Sequence, residues 1–255
     1  MAPRSVRVHL AGRVSIEVDG HLADQGAFSG QQGRLAFAYL VSEGTRPVAR
    51  AELVDVLWAA DVPPSAEAAL SAVISKLRSL LQHAGLDRAA LTSSPGCYEL
   101  RLPPNTWVDI DAASDAIHEA ESALRAGDPA SAYGPSAVAH HIARRPLLPG
   151  EDGPWVNGRR ARLRGILLRA LECRANVYLW NREFPLAVAA ARELVALEPL
   201  HESGHRLLVR SLAESGNGAA ALWAYEQCRR LIASELGVDP SRETKAVYEA
   251  VLQSL

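Results

Sequence analysis

Residues 201–205 read His201-Glu202-Ser203-Gly204-His205, a literal H-E-x-x-H. On a helix, two histidines four apart project from one face and can share a zinc ion, with the glutamate between them as general base. The match is short, and in a chain with 8 histidines chance writes it at about the one per cent level. His201 lies two residues past Pro199, at the frayed start of any helix there, which is a poor platform for a rigid ligand. No third ligand stands in a recognisable context. The other reactive residue types form no constellation either. There is no glycine-rich phosphate loop, no Ser/His/Asp arrangement and no acid pair with a cleft signature. Cys97, Cys173 and Cys228 are odd in number and scattered, and read as small hydrophobes in a reducing compartment. His140 and His141 are adjacent and so cannot share a helix face. The expectation is a protein without enzymatic activity, metal or cofactor.

The elements that would carry any site follow from composition and periodicity. The 255 residues are 48% hydrophobic but only 5% aromatic and 22% charged, which suits a mostly helical protein of two modest domains. No apolar run reaches 18 residues, so no membrane span is expected. The opening MAPRSVRVHLAGRV is broken by Arg4, Arg7 and His9 and lacks a signal-peptide core. Together these point to the cytoplasm. Net charge is −2, so no global basic field advertises nucleic acid.

Residues 6–18 alternate as two short antiparallel strands. Residues 31–43 read as a buried helix ended by Gly44, and 50–59 as a short helix with Leu53, Leu57 and Trp58 inward. Residues 66–82 carry Leu70, Val73, Ile74, Leu77 and Leu81 at i, i+3, i+4, i+7 and i+11, the cleanest amphipathic pattern in the chain, with Ser65 as its cap. A hairpin follows over 91–103. This order is that of a winged helix with an added N-terminal sheet. Past the boundary at 103–114 the strand signals vanish. A 34-residue period then relates Tyr178 to Leu212, Ala187 to Ala221 and Leu197 to Leu231, the tetratricopeptide spacing, in which helix pairs stack because neither buries its apolar face alone. Trp155 and Trp180 read as core anchors of the first helix pairs.

The stretches RPVARAELVDVLW (46–58), LSAVISKLRSLL (70–81), RRPLLPGEDGPWV (144–156), LVALEPLHESGHRLLVRSL (194–212) and ALWAYEQCRRLIASELGVDPSRETKAVYEAVL (221–252) cover most of the chain. On them it resembles the antibiotic-regulatory-protein (SARP-type) transcriptional activators. The resemblance implies a mainly α protein with a small β component: an OmpR-like winged helix-turn-helix over residues 1–105, then an all-α, tetratricopeptide-like bacterial transcriptional activation domain over 106–255. It also implies promoter DNA with direct or inverted repeats and RNA polymerase as partners, with the helical domain also serving homodimerisation or effector sensing. In this family the segment after Pro199 opens a repeat, with a glutamate at the place of Glu202 and the two histidines at variable surface positions.

Helix 66–82 is the candidate DNA reader. Opposite its apolar stripe stand Ala68, Ala72, Ser75 and Ser79, with Ser71, Lys76 and Gln82 on the flanks and Arg78 nearer the core edge. Arg50, near a helix start, and Arg101, beside the hairpin, are candidate backbone contacts, and Ser93–Gly96 the wing tip. Ala49 leaves the helix start at Arg50 without a capping hydroxyl. Residues 1–105 hold ten Lys and Arg against ten Asp and Glu. Glu67 faces any phosphate with the wrong sign. That neutrality keeps a second reading open, an interaction adaptor whose winged helix no longer binds DNA. The arginine run RRARLRGILLR (159–169) reads as a solvated face answering nearby carboxylates.

Overall fold

The computed structural model describes residues 4–59 and 61–254. Its contacts group the chain into two compact units: residues up to Ala112 with Ile142–Leu163, and Ala113–His141 with the residues from Arg164 on.

In the first unit, β1 (Val6–His9), β2 (Ser15–Val18) and β3 (His21–Ala23) form an antiparallel meander. A late strand, β7 (Trp107–Val108), adds to β1 in parallel. The two expected strands are present; β3 and β7 are too short for periodicity to reveal. Val6, Val8, Ile16 and Val18 are buried, the inner side of the alternation. Then come α1 (Gly30–Ser42), β4 (Val48–Ala49), α2 (Arg50–Trp58), α3 (Ala66–His83), and the hairpin β5 (Leu91–Ser94) and β6 (Cys97–Leu100), with β4 joining β6 as a third strand. The hairpin turns in two residues, Pro95 and Gly96, and Gly96 takes a φ of 77°, the left-handed value that favours glycine.

Helix α3 buries most of its expected stripe: Leu70, Ile74, Leu77 and Leu81 are at most 2% exposed, while Val73 lies at its edge, half-buried. Ser65 occupies its N-cap position without a side-chain cap bond, so that expected cap is absent. The start of α2 compensates for Ala49 in two ways. The Arg50 amide donates to the Gly96 carbonyl at 2.9 Å, and the acid Glu52 stands in the first turn, where the helix dipole favours it.

Two buried acids fasten this unit. Asp109 is fully buried; its carboxylate accepts from the amides of Leu10 (3.0 Å), Ala11 (2.9 Å) and Ile110 (2.8 Å). It ties the end of β1 to the chain that leaves β7. Glu151 is 1% exposed and meets Arg34 of α1 at 2.6 Å. Around it, Arg160 donates to the carbonyls of Leu147 (3.1 Å), Leu148 (2.8 Å) and Glu151 (2.6 Å). The motif at 144–156 is therefore a return segment laid on α1. Trp155 packs edge-on against Tyr39 of α1 at 5.0 Å, so it anchors this segment rather than a helix pair.

In the second unit, the rest of α4 (Asp109–Arg125), α5 (Pro129–Ala143) and α6 (Pro154–Trp180) leads into α7 (Phe184–Leu197), α8 (Glu202–Glu214), α9 (Gly218–Leu236) and α10 (Arg242–Ser254). Small residues set the close approaches. Ala187 and Ala221, one period apart, are both fully buried. A Cβ on Gly204 would meet Leu194 of α7 at 3.0 Å. Trp180 is 60% exposed, contrary to its expected core role. Its place at the last residue of α6 carries the ring past the packed turns.

The H-E-x-x-H residues hold helices together. Glu202 accepts from the Ser241 amide (2.9 Å), Ser241 Oγ (2.7 Å) and Thr244 Oγ1 (2.6 Å), joining the first turn of α8 to that of α10. Burial pushes the Glu202 carboxyl up, but the bonds from Thr244 and Ser241 outweigh it and hold the group below its usual range. His205, expected on the surface, is instead 5% exposed, drawn inward with Nε2 2.8 Å from the Pro199 carbonyl oxygen. Burial lowers its pKa. Among the described residues no three His, Cys, Asp or Glu side chains gather as a metal site.

Two predictions follow from these anchors. Asp109→Ala strands three amides and should cost about 3 kcal/mol in urea unfolding. Burial raises the Asp109 pKa in the folded state. The folded protein therefore holds that proton more tightly, and stability relative to Asp109→Asn should rise as pH falls from neutral towards the aspartate range; the opposite slope would contradict this. Glu202→Ala should cost about 2 kcal/mol at neutral pH. Because the Glu202 pKa is lowered on folding, that deficit should shrink as pH falls through the glutamate range.

Candidate nucleic-acid interface

Helix α3 presents an exposed face opposite its buried stripe, running through Glu67, Ala68, Ser71, Ala72, Ser75, Lys76, Ser79 and Gln82. This face arises because the apolar positions are confined to one side of an 18-residue helix. Its serines bond back along the helix: Ser71 Oγ to the Glu67 carbonyl at 2.9 Å, and Ser79 Oγ to that of Ser75 at 3.2 Å. A hydroxyl whose proton is used this way offers only lone pairs outward. Ser79 also has its own carbonyl 2.7 Å from His83 Nδ1.

The candidate cations differ in availability. The Arg50 guanidinium is engaged on every side. Nε donates to Glu67 Oε2 at 2.8 Å, Nη1 to the Tyr98 hydroxyl at 2.7 Å, and Nη2 to Ser71 Oγ at 2.9 Å. Its pKa is raised by the Glu67 hydrogen bond. Arg101 grips Glu99 in a fork, at 2.6 and 2.9 Å. Arg78 is half-buried, with Nε donating to the Leu91 carbonyl at 3.0 Å, so it braces the hairpin. Lys76 and Gln82 are exposed. Nearby, Arg46 bridges Glu43 and Glu52; its hydrogen bond, followed by that from Tyr39, brings the Glu52 pKa down to about 2.

The structure thus brings Arg50, Ser71, Ser75, Lys76, Ser79 and Gln82 to one helix face or its edge, turns the half-buried Arg78 to the hairpin, and leaves Arg101 beside it. Sequence reasoning missed the other wall. An open groove of about 600 Å³ runs between the C-terminal half of α3 (Ser75, Lys76, Ser79, His83) and the β3 lip (His21, Leu22, Ala23, Ala27). Leu22 is 62% exposed there. Nothing local marks this lip, because β3 is only three residues long. The role of Tyr98 as an arginine partner was hidden for the same reason, since its alternation marks it only as core.

The arginine run 159–169 is largely consumed in structure. Arg160 caps the return segment, Arg159 lies over Trp155 at 5.6 Å, and Arg169 forks onto Glu121 at 2.5 and 2.6 Å. No helix among the described residues is long and apolar enough to cross a membrane.

Comparison with known proteins agrees with this architecture. The bacterial transcriptional activator domain family matches residues 108–252. The regulatory protein AfsR of Streptomyces coelicolor is 34% identical over 250 residues, 98% of this chain and 24% of that protein. The chain thus spans about a quarter of that relative's length. The transcriptional regulator RedD of the same organism is 30% identical over 251 residues, 97% of this chain and 70% of the relative. The solved structure of Mycobacterium tuberculosis EmbR in complex with a low-affinity phosphopeptide matches with a TM-score of 0.85 at 25% identity, over 98% of this chain and 66% of that one. With the winged-helix order of elements ahead of the matched domain, the chain belongs to the SARP-type family of bacterial transcriptional regulators.

Proposed function

We propose that the chain activates transcription by binding promoter DNA through α3 and recruiting RNA polymerase through its helical repeats. Residues 1–105 act as the DNA-binding module and 106–255 as the activation module, in the cytoplasm, on direct or inverted repeats that a homodimer can span. The observation that carries the reading is the outward face of α3: five turns with every large apolar side chain turned inward, and small or polar groups left facing solvent. Such a face fits the major groove closely, with alanines against thymine methyls and serine lone pairs accepting from exocyclic amines. Lys76, Arg50 and Arg101 supply the backbone contacts, and Ser71, Ser75, Ser79 and Gln82 the base edges, with Arg78 holding the wing in place. Recruitment then works by effective concentration, without covalent chemistry.

A second reading is favoured by the pairing of Arg50 and Arg101 with carboxylates: a scaffold in which the winged helix is silent and the repeats alone bind a protein.

Selection from a randomised duplex pool, followed by titration at two salt concentrations, separates the two. The activator reading predicts an enriched sequence bound with a steep salt dependence. Lys76→Ala should weaken all sequences by roughly three- to ten-fold and lower the salt slope by about one. Failure to enrich any sequence, with no binding even at low salt, would leave the scaffold reading standing.

A further inference from the structure

The DNA-facing side of α3 begins with an acid, Glu67, which is 67% exposed at the side chain yet spends its carboxylate on Arg50 at 2.7 Å. The first turn of a reading helix is where base edges are usually met. An ionised carboxylate there accepts from an exocyclic amino group: cytosine N4 is its best-matched partner, adenine N6 stands beside the repelling N7 acceptor, and guanine, thymine and phosphate offer only acceptors. Arg50, for its part, is a phosphate-binding group held by an internal anion. Its Nη2 also touches Ser71, so the pair lies across the reading face rather than behind it.

We propose, resting on the DNA-binding reading above, that Glu67 is a specificity-determining residue that exchanges partners. Off target it stays on Arg50 and withholds that arginine from phosphate. On target it accepts from a cytosine amino group, and Arg50 is released to the backbone. The exchange conserves the number of charge-assisted bonds best where a cytosine is present. Opposite guanine or thymine, freeing Arg50 leaves a carboxylate facing acceptors, and opposite adenine the N7 acceptor offsets the amino group. Sequence-independent affinity, which comes from phosphate contacts, is thereby held down in a domain whose charges already balance, and base identity governs the release of its best fork.

Glu67→Gln tests this, because the amide keeps an oxygen for Arg50 but loses the charge, and the exposed site tolerates the change. Wild type, Glu67→Gln and Arg50→Ala/Glu67→Gln are each taken through selection from a randomised pool and titrated on the selected and on random duplexes, with thermal unfolding as the check on folding. Wild type should select a cytosine that Glu67→Gln no longer requires. Changing that C·G pair to T·A should weaken wild type by roughly ten-fold and Glu67→Gln by less than about two-fold. Glu67→Gln should bind random duplex about two- to five-fold tighter than wild type, and the double variant should lose that gain. An unchanged selected sequence with unchanged random binding overturns the proposal. So does a gain that persists without Arg50, since the acid would then act only as a general negative charge. If wild type binds no duplex, the DNA-binding reading itself fails and this inference falls with it.

Discussion

The structure turns on the burial of one stripe of α3. Leu70, Ile74, Leu77 and Leu81 each remove a branched side chain from water, worth about 1.5–3 kcal/mol apiece. Together they fix the rotation of the helix about its axis. Once that rotation is set, the opposite face is determined residue by residue, and everything attributed to it depends on its not turning. Gln82, one position before the end of α3, and Glu67, in its first turn, are displayed outward by the same constraint. Arg78 is drawn to the hairpin carbonyl for the same reason.

Around that helix, polar anchors do what apolar packing cannot, which is to specify which strand end meets which helix start. Asp109 receives three amides at the point where β7 hands over to α4. Glu151 and Arg160 lay the return segment on α1. Glu202 does the same for α8 and α10 in the other unit. A buried acid is stable in such places when donors converge on it: three amides do so at Asp109, and the Arg34 guanidinium does so on Oε1 of Glu151. The arrangement gives the zinc-like motif its physical explanation: the glutamate is a joint between helices, and His205 a buried packing group bonded to the Pro199 carbonyl.

Much of the fold was legible because its signals are local. The amphipathic pattern of α3 and the paired alanines at 187 and 221 state their burial directly; the alanines, Leu70, Ile74, Leu77 and Leu81 are buried, and only Val73 stays at the edge of its stripe. Features set by distant contacts were not legible. Strand β7 pairs with a strand roughly a hundred residues away, and two residues carry no period. Trp155 looked like a helix-pair anchor because its partner, Tyr39, lies on α1. Trp180 looked buried because tryptophan usually is, whereas its helix ends beneath it. At the candidate site the residue types were legible, but their engagement was not: a sequence names Arg50, Glu67 and Tyr98 without saying that they share one cluster. The neutral charge count was the trace of that pairing.

The most direct test of the account is to alter the two grooves of a duplex that the chain itself selects. Thymines are replaced one at a time by uracil, which deletes the major-groove methyl, and guanines by inosine, which deletes only the minor-groove amine. If the outward face of α3 reads DNA, the thymines that lose affinity on methyl deletion will cluster within one short stretch of the selected site, and that stretch will be indifferent to inosine. Insensitivity to uracil throughout, or sensitivity confined to inosine, would contradict it.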